Sequence, residues 1–241
     1  MNILALDSAG EVLSAALETE SKNGTESGNF FYTEIDAGTR HCELLMSCAD
    51  WLCKCAGIKP ENIDMVACME GPGSFTGLRI GFSAAKGIAL ALGIPLVAVP
   101  TLDCIAYPLS FWPGIVVPAM DAKKGCFFTA LYRQGQRLTD YIDAPAELVA
   151  AEITKERRSP NSTLEPVLFT GCGAQMLFSR LGTLLPPVSV SVNSDFKTGA
   201  ARGLLKIARN NIIYKGGSNL GPVYLRKSDA ELNAGKNEKM I

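Results

Sequence analysis

Short apolar runs alternate with polar turns from the first residues of the chain, and the apolar spacing changes from strand-like to helix-like at defined places. Residues 3–7 form an apolar run, 8–11 supply turn residues, and 12–17 resume a small apolar pattern, which predicts an opening β-hairpin. The polar stretch 19–29 predicts a loop and 30–35 a third strand. Over 40–56 the apolar residues Leu44, Leu45, Cys48, Trp51, Leu52, Cys55 and Ala56 share one helical face, and Gly57 and Pro60 end that helix. Residues 65–69 then predict a buried strand, 70–77 (EGPGSFTG) a tight loop, 78–92 a helix and 96–99 another buried strand, a βαβ unit with a right-handed crossover. A short helix is expected at 101–107. Strands at 115–120 and 126–132, joined by DAKKG, restart sheet-building and predict a second domain. Further on, 154–163 is polar and expected to be exposed, 166–170 is a strand candidate running into Gly171-Cys172-Gly173, and 198–211 has helical spacing. The charged stretch 227–239 after GPVYLR is expected to fray.

Composition adds limits. Of 241 residues, 47% are hydrophobic and 20% charged, enough apolar surface to offset chain entropy and fold as one large or two small domains. A net charge of -1 leaves no global field to draw the chain onto nucleic acid, so any such contact is local or made through a partner. Eight cysteines with no CxxC, behind a start (MNILALDSAG) that carries Asp7 and no basic leader, point to a cytosolic chain with reduced thiols packed in the core. The longest apolar run, 88–99, is interrupted by Gly93 and Pro95, so no membrane span is expected.

The glycine-rich loop excludes more than it assigns. A Walker A loop needs Lys and then Ser or Thr after its last glycine, whereas Gly77 is followed by Leu78 and Arg79. A dinucleotide loop reads GxGxxG with an acidic residue about 20 positions on. Here Gly71, Gly73 and Gly77 are spaced GxGxxxG, and no Asp or Glu lies between Glu70 and Asp103. Two readings stay open: amides that hold an anion at the helix start, or glycines that permit a tight turn and close packing. Gly77, Gly81, Ala85 and Ala89 recur every four residues beside Ala84, a stripe whose partner is the chain's own sheet, a neighbouring helix or another subunit. The sole histidine, His41, reads as a surface residue at a helix start, which leaves little for acid-base or zinc catalysis. Ser74 lacks the GxSxG elbow spacing. Asp7 and Asp121 each end a strand and enter a turn, as phosphate-facing carboxylates or as caps of their own turns.

MNILALDSAG, EGPGSFTGLRIG, MDAKKGCFF and GPVYLR, in that order, resemble the bacterial TsaB (YeaZ) family. The resemblance implies the two-lobed α/β fold of the actin, sugar-kinase and Hsp70 superfamily (ASKHA), with a first lobe at 1–107, a second at 108–226 whose last helix packs back on the first, and a tail at 227–241. It implies a non-catalytic subunit that pairs with and activates a TsaD-like catalytic subunit in tRNA threonylcarbamoyladenosine synthesis, with a TsaE-like ATPase in the complex, tRNA reached only through that complex, and a homodimer when alone. TsaD carries a metal on HxxxH; Thr101 and Ile105 stand at those positions here, so neither metal nor catalytic residue is expected. The implied partner surface is Leu44, Leu45, Cys48, Trp51, Leu52, Gly77, Gly81, Ala84 and Ala85. Asp7, Gly73, Ser74, Asp121, Gly171 and Gly173 lie where the superfamily meets nucleotide, with weak ATP or ADP binding as the expectation. The rivals are a self-sufficient ATP-dependent kinase or hydrolase using Asp7 and Asp121, and a metallopeptidase.

Overall fold

A computed structural model describes residues 1–20, 28–157, 164–181, 184–185, 190–193, 198–210 and 221–226. The middle of the loop expected at 19–29, the end of the polar stretch 154–163, position 211 and the charged tail lie outside the described residues.

The first sheet takes β1 (Ile3–Asp7), β2 (Val12–Glu18), β3 (Phe30–Asp36), β4 (Met65–Gly71) and β5 (Leu96–Pro100) in the order β3-β2-β1-β4-β5. The hairpins β1–β2 and β2–β3 are antiparallel, while β1, β4 and β5 run parallel through helical crossovers. Both faces are covered, so β1 reads as a continuous apolar run rather than an alternating one. Leu4 and Leu6 point to a cluster under α1 (His41–Ala56) and α2 (Phe75–Leu92), whereas Ile3 and Ala5 point to the opposite side. By length and composition α2 could cross a bilayer, but Leu78, Phe82, Ala85 and Ala89 are buried in this fold. α1 ends as the sequence predicts: Gly57 takes a positive φ of 66° and its N–H returns to the Cys53 and Lys54 carbonyls.

α3 (Thr101–Ala106) leads into the second sheet, built from β6 (Ile115–Asp121), β7 (Cys126–Thr129), β8 (Tyr132–Arg133), β9 (Gln136–Arg137) and β10 (Ile142–Pro145), then α4 (Ala146–Glu156), β11 (Val167–Thr170), α5 (Ala174–Leu181) and β12 (Val190–Val192). The single strand expected at 126–132 is two strands, β7 and β8, both paired with β6. α4 and α5 were not anticipated from the sequence. Ala146, Val149, Ala150 and Ile153 do carry the i, i+3, i+4, i+7 signature of α4 and are all buried. α6 (Ala201–Asn210) returns to the first sheet, where Leu204, Leu205 and Ala208 pack beside Ile3, Ala5 and Ala67.

α3 joins the two lobes. Leu102 and Ala106 are buried with Val116, Met120, Ala130 and Tyr132, and the Asp103 carboxylate accepts from Tyr132 Oη at 2.5 Å and Tyr141 Oη at 3.0 Å.

Candidate functional site

The ends of β1 and β6 face a cleft between the lobes. Asp7, 3% exposed, accepts from Ala9 N at 3.0 Å, Ser14 Oγ at 3.1 Å and Ala200 N at 2.8 Å. Burial pushes its pKa above the ordinary carboxylate value, against the lowering by those donors. Asp121 accepts from Lys123 N and Lys123 Nζ, each at 2.8 Å. Burial would raise it, but the Lys123 hydrogen bonds and charge outweigh that and hold it below the ordinary value. Both carboxylates therefore cap their own turns, the plainer of the two readings.

The glycine-rich loop is explained by close packing. A Cβ on Gly73 would stand 2.7 Å from the Ala9 carbonyl oxygen, one on Gly77 2.0 Å from the Ser8 carbonyl oxygen, and one on Gly81 2.6 Å from Ser8 Oγ. Ser8 Oγ donates to the Gly77 carbonyl at 2.8 Å, and Ser74 N donates to the Ala9 carbonyl at 2.8 Å. The partner of the small-residue stripe is thus the chain's own hairpin turn, followed by the core beneath Ala85 and Ala89. Ser74 Oγ caps α2 by accepting from Gly77 N at 3.2 Å.

This packing corrects the expected partner surface. Leu45, Cys48, Leu52 and Ala85 are buried in the chain's own core, and Gly77 and Gly81 lie against Ser8, so none of the six offers a side chain to a second molecule. The sequence periodicity placed the face slightly off-axis: Ala49 and Cys53 are buried where Trp51 and Cys55 were expected. Trp51 is instead 51% exposed and Leu44 and Ala84 are half-buried. Elsewhere α1 and α2 leave Met46 and Leu90 exposed and Ile80 and Ile88 half-buried, and beside Gly87 there is open space.

The cleft itself has a volume of about 590 Å³ and is lined on the first lobe by Gly10, Glu11, Thr39, His41 and residues 73–77, and on the second by Asp121, Lys123, Phe128 and Cys172. Here His41 overturns the surface reading: it is 7% exposed, and its Nε2 has no hydrogen-bond partner among the described residues. The polarity of a helix start hid this, because burial is set by tertiary packing rather than by the local sequence. Thr101 and Ile105 line a crevice of about 30 Å³ together with Asp7, Gly171 and Cys172. Gly171, at a φ of 87°, lies close to the Ala119 carbonyl, and Gly173 N donates to that carbonyl at 2.8 Å. A Cβ on Gly173 would meet Met120 and Asp121 backbone at 2.9 Å, so this glycine serves packing against β6. Among the described residues no three of His, Cys, Asp and Glu gather closely enough to hold a metal ion.

One feature of the site carried no role in the sequence reading. Residues 221–226 cross from lobe to lobe: Val223 N donates to the Glu70 carbonyl at 2.8 Å, Tyr224 packs on Phe75 at 4.8 Å between ring centroids, and Arg79 Nε donates to Tyr224 Oη at 3.2 Å. Arg226 then grips both carboxylate oxygens of Asp143 and donates to the Ala122 carbonyl at 2.7 Å. GPVYLR was visible as a motif, but nothing local to it names Glu70, Phe75 or Asp143 as partners.

The family described as "TsaD: tRNA N6-adenosine threonylcarbamoyltransferase" matches residues 33–234. The tRNA threonylcarbamoyladenosine biosynthesis protein TsaB of Bacillus subtilis is 30% identical over 190 residues, covering 76% of this chain and 78% of the relative. TsaB of Escherichia coli is 30% identical over 232 residues, covering 89% of this chain and 97% of the relative. The structure of YeaZ from Pseudomonas aeruginosa superposes with a TM-score of 0.72 at 23% identity, over 93% of this chain and 99% of that one, so the two share this fold of two mixed sheets flanked by helices. Matching along nearly its whole length, this chain belongs to the TsaB (YeaZ) family, within the wider family of TsaD-type threonylcarbamoyltransferase domains.

Proposed function

We propose that this chain is the non-catalytic partner subunit of a TsaD-type threonylcarbamoyltransferase. Its family sets it in tRNA threonylcarbamoyladenosine biosynthesis. The finer reading, pairing and activation, rests above all on the apolar residues that α1 and α2 leave at the surface: Met46, Trp51 and Leu90 are exposed, and Ile80, Ala84 and Ile88 are half-buried. A TsaE-type ATPase completes the assembly in the cytosol, and two copies of this chain compete for the same face when the catalytic partner is absent. Thr101 and Ile105, at the positions of the TsaD histidines, supply no imidazole, and the Nε2 of His41 has no hydrogen-bond partner among the described residues. Asp7 is occupied by three donors and Asp121 by Lys123, so the kinase or hydrolase reading gains no support. ATP or ADP in the cleft is proposed at weak affinity only.

Reconstitution with a TsaD-type and a TsaE-type protein, ATP and tRNA tests this. Modified tRNA should form only when this chain is present, and Gly87→Arg, which adds a long side chain into open space on α2, should lower complex formation at least tenfold while the free chain melts no lower than the wild type. Modification without this chain, turnover by this chain alone, or wild-type pairing by Gly87→Arg would each defeat the proposal.

A further inference from the structure

Gly73, Gly77 and Gly81 lie against the hairpin turn at Ser8 and Ala9, but the first glycine of the loop faces a different neighbour: a Cβ on Gly71 would stand 2.3 Å from the Val223 carbonyl oxygen. The loop is thus pressed between the hairpin turn and the crossing segment 221–226. That segment grips the first lobe through Val223 N on the Glu70 carbonyl and through Tyr224 on Phe75 and Arg79, and it grips the second through Arg226 on Asp143 and the Ala122 carbonyl. Both grips border the cleft, because the pocket of about 290 Å³ under the segment shares Gly73, Phe75, Ala122, Lys123 and Phe128 with the cleft lining.

What holds this segment differs from what holds the lobes. None of residues 221–226 is buried, Val223 and Tyr224 being 46% and 39% exposed, and none belongs to the apolar cluster of either lobe. Its grip consists of hydrogen bonds, one ion pair and one ring contact at the surface. A segment with so few buried apolar contacts opens at far lower cost than global unfolding. Each lobe keeps its own core, and the two stay joined at α3 through Leu102 and Ala106. We infer that residues 221–226 are a releasable strap: fastened, they fix the distance between the loop 71–77 and the turn after β6 and so set the width of the cleft; released at either end, they let the cleft widen about α3. The first-lobe grip is on α2 itself, so a change at the start of that helix reaches the second lobe by this route. The inference does not depend on the pairing role.

Cys172 reports the width of the cleft. It sits on the second lobe, half-buried, and lines both the cleft and the crevice beside Thr101 and Ile105, but not the pocket under the strap. In the full chain its modification by N-ethylmaleimide is followed by mass spectrometry. Tyr224→Ala weakens the first-lobe grip and Arg226→Lys the second. Each should speed modification of Cys172 about fivefold or more, while Cys48, Cys53, Cys68 and Cys104 stay unmodified because the cores are intact. The double variant should react no faster than the sum of the two single-variant rates, since one released end is enough, whereas two contacts that must both break would multiply their effects. Unchanged Cys172 reactivity in both single variants, an increase in the double variant equal to the product of the two, or modification of the buried four alongside Cys172 would overturn the inference.

Discussion

Asp7 and Asp121 hold the same post in the two lobes: each ends the first strand of its sheet and accepts the N–H of the residue two positions on, Ala9 at 3.0 Å and Lys123 at 2.8 Å. Their surroundings drive them apart. Asp7 is sealed beneath Ala200 and α6, while Asp121 sits at the cleft beside an ammonium group.

The two should leave opposite marks on the pH dependence of stability. The Asp7 pKa is raised in the folded chain, so the unfolded chain loses this proton first; its contribution is full below the ordinary Asp range and lost as pH rises through the folded pKa. The Asp121 pKa is lowered, so its contribution is present above the ordinary range and lost as pH falls. Urea unfolding followed from about pH 3 to about pH 8 should show a flatter decline on the alkaline side in Asp7→Asn and a smaller acid-side loss in Asp121→Asn. Asp7→Asn should also cost about 1–3 kcal/mol, because its one acceptor oxygen cannot serve both Ala9 N and Ala200 N and its amide nitrogen can accept from neither. Wild-type slopes in both variants would refute the assignment.

Ser8 and Gly81 should be energetically coupled. Gly81→Ala gains about 1 kcal/mol of helix propensity, but its new methyl group crowds Ser8 Oγ and disturbs the bond to the Gly77 carbonyl. In a Ser8→Ala background the crowding atom is gone. A double-mutant cycle should return a coupling of about 1–2 kcal/mol, and strictly additive values would rule it out. Gly77→Ala has no such relief, since its Cβ would meet backbone, and a loss of about 3 kcal/mol is expected.

The crossing segment 221–226 should behave as a clasp. Arg226→Lys keeps the charge but forfeits the two-pronged grip on Asp143, for a loss of about 1.5–3 kcal/mol. Limited proteolysis should cut this segment faster in Arg226→Lys and in Tyr224→Ala than in the wild type. Equal cleavage rates in all three would show that the clasp contributes nothing.

Thiol chemistry should separate the eight cysteines by position. Cys42 and Cys55 are exposed, Cys126 and Cys172 half-buried, and Cys48, Cys53, Cys68 and Cys104 buried, so the expectation of uniformly core cysteines fails for the exposed pair. Burial pushes the Cys68 thiol up to about 12, leaving a thiolate fraction on the order of 10⁻⁴ at about pH 8. A disulfide reagent should modify two thiols rapidly, two slowly, and the buried four only after unfolding. Rapid modification of Cys68 in the folded chain would contradict the packing.

How much could be read in advance differs by element. The βαβ unit from β4 to β5 was legible because its strand runs, its loop and the breaks at Gly93 and Pro95 are local signals. α4 and α5 went unseen because 11 and 8 residues give too few turns for the periodicity to stand out from an Ala-rich background. At the site, the turns at Asp7 and Asp121 were legible because each carboxylate closes an apolar strand run. His41 and Arg226 were misread or passed over, since the burial of the one and the Asp143 partner of the other are set by tertiary packing.

The amino-acid order alone determined the strands and helices of the first lobe from β1 to β5, and that a single imidazole exists to share among all possible tasks; the elements follow from backbone sterics and short-range periodicity. Tertiary packing decided what those pieces face. It spent the stripe of α2 on Ser8, left Trp51 and Leu90 outside, enclosed His41 against the cleft and brought Arg226 onto the second lobe. Burial is a property of the whole assembly, so the same apolar residue reads alike in sequence whether the chain covers it or leaves it for a partner.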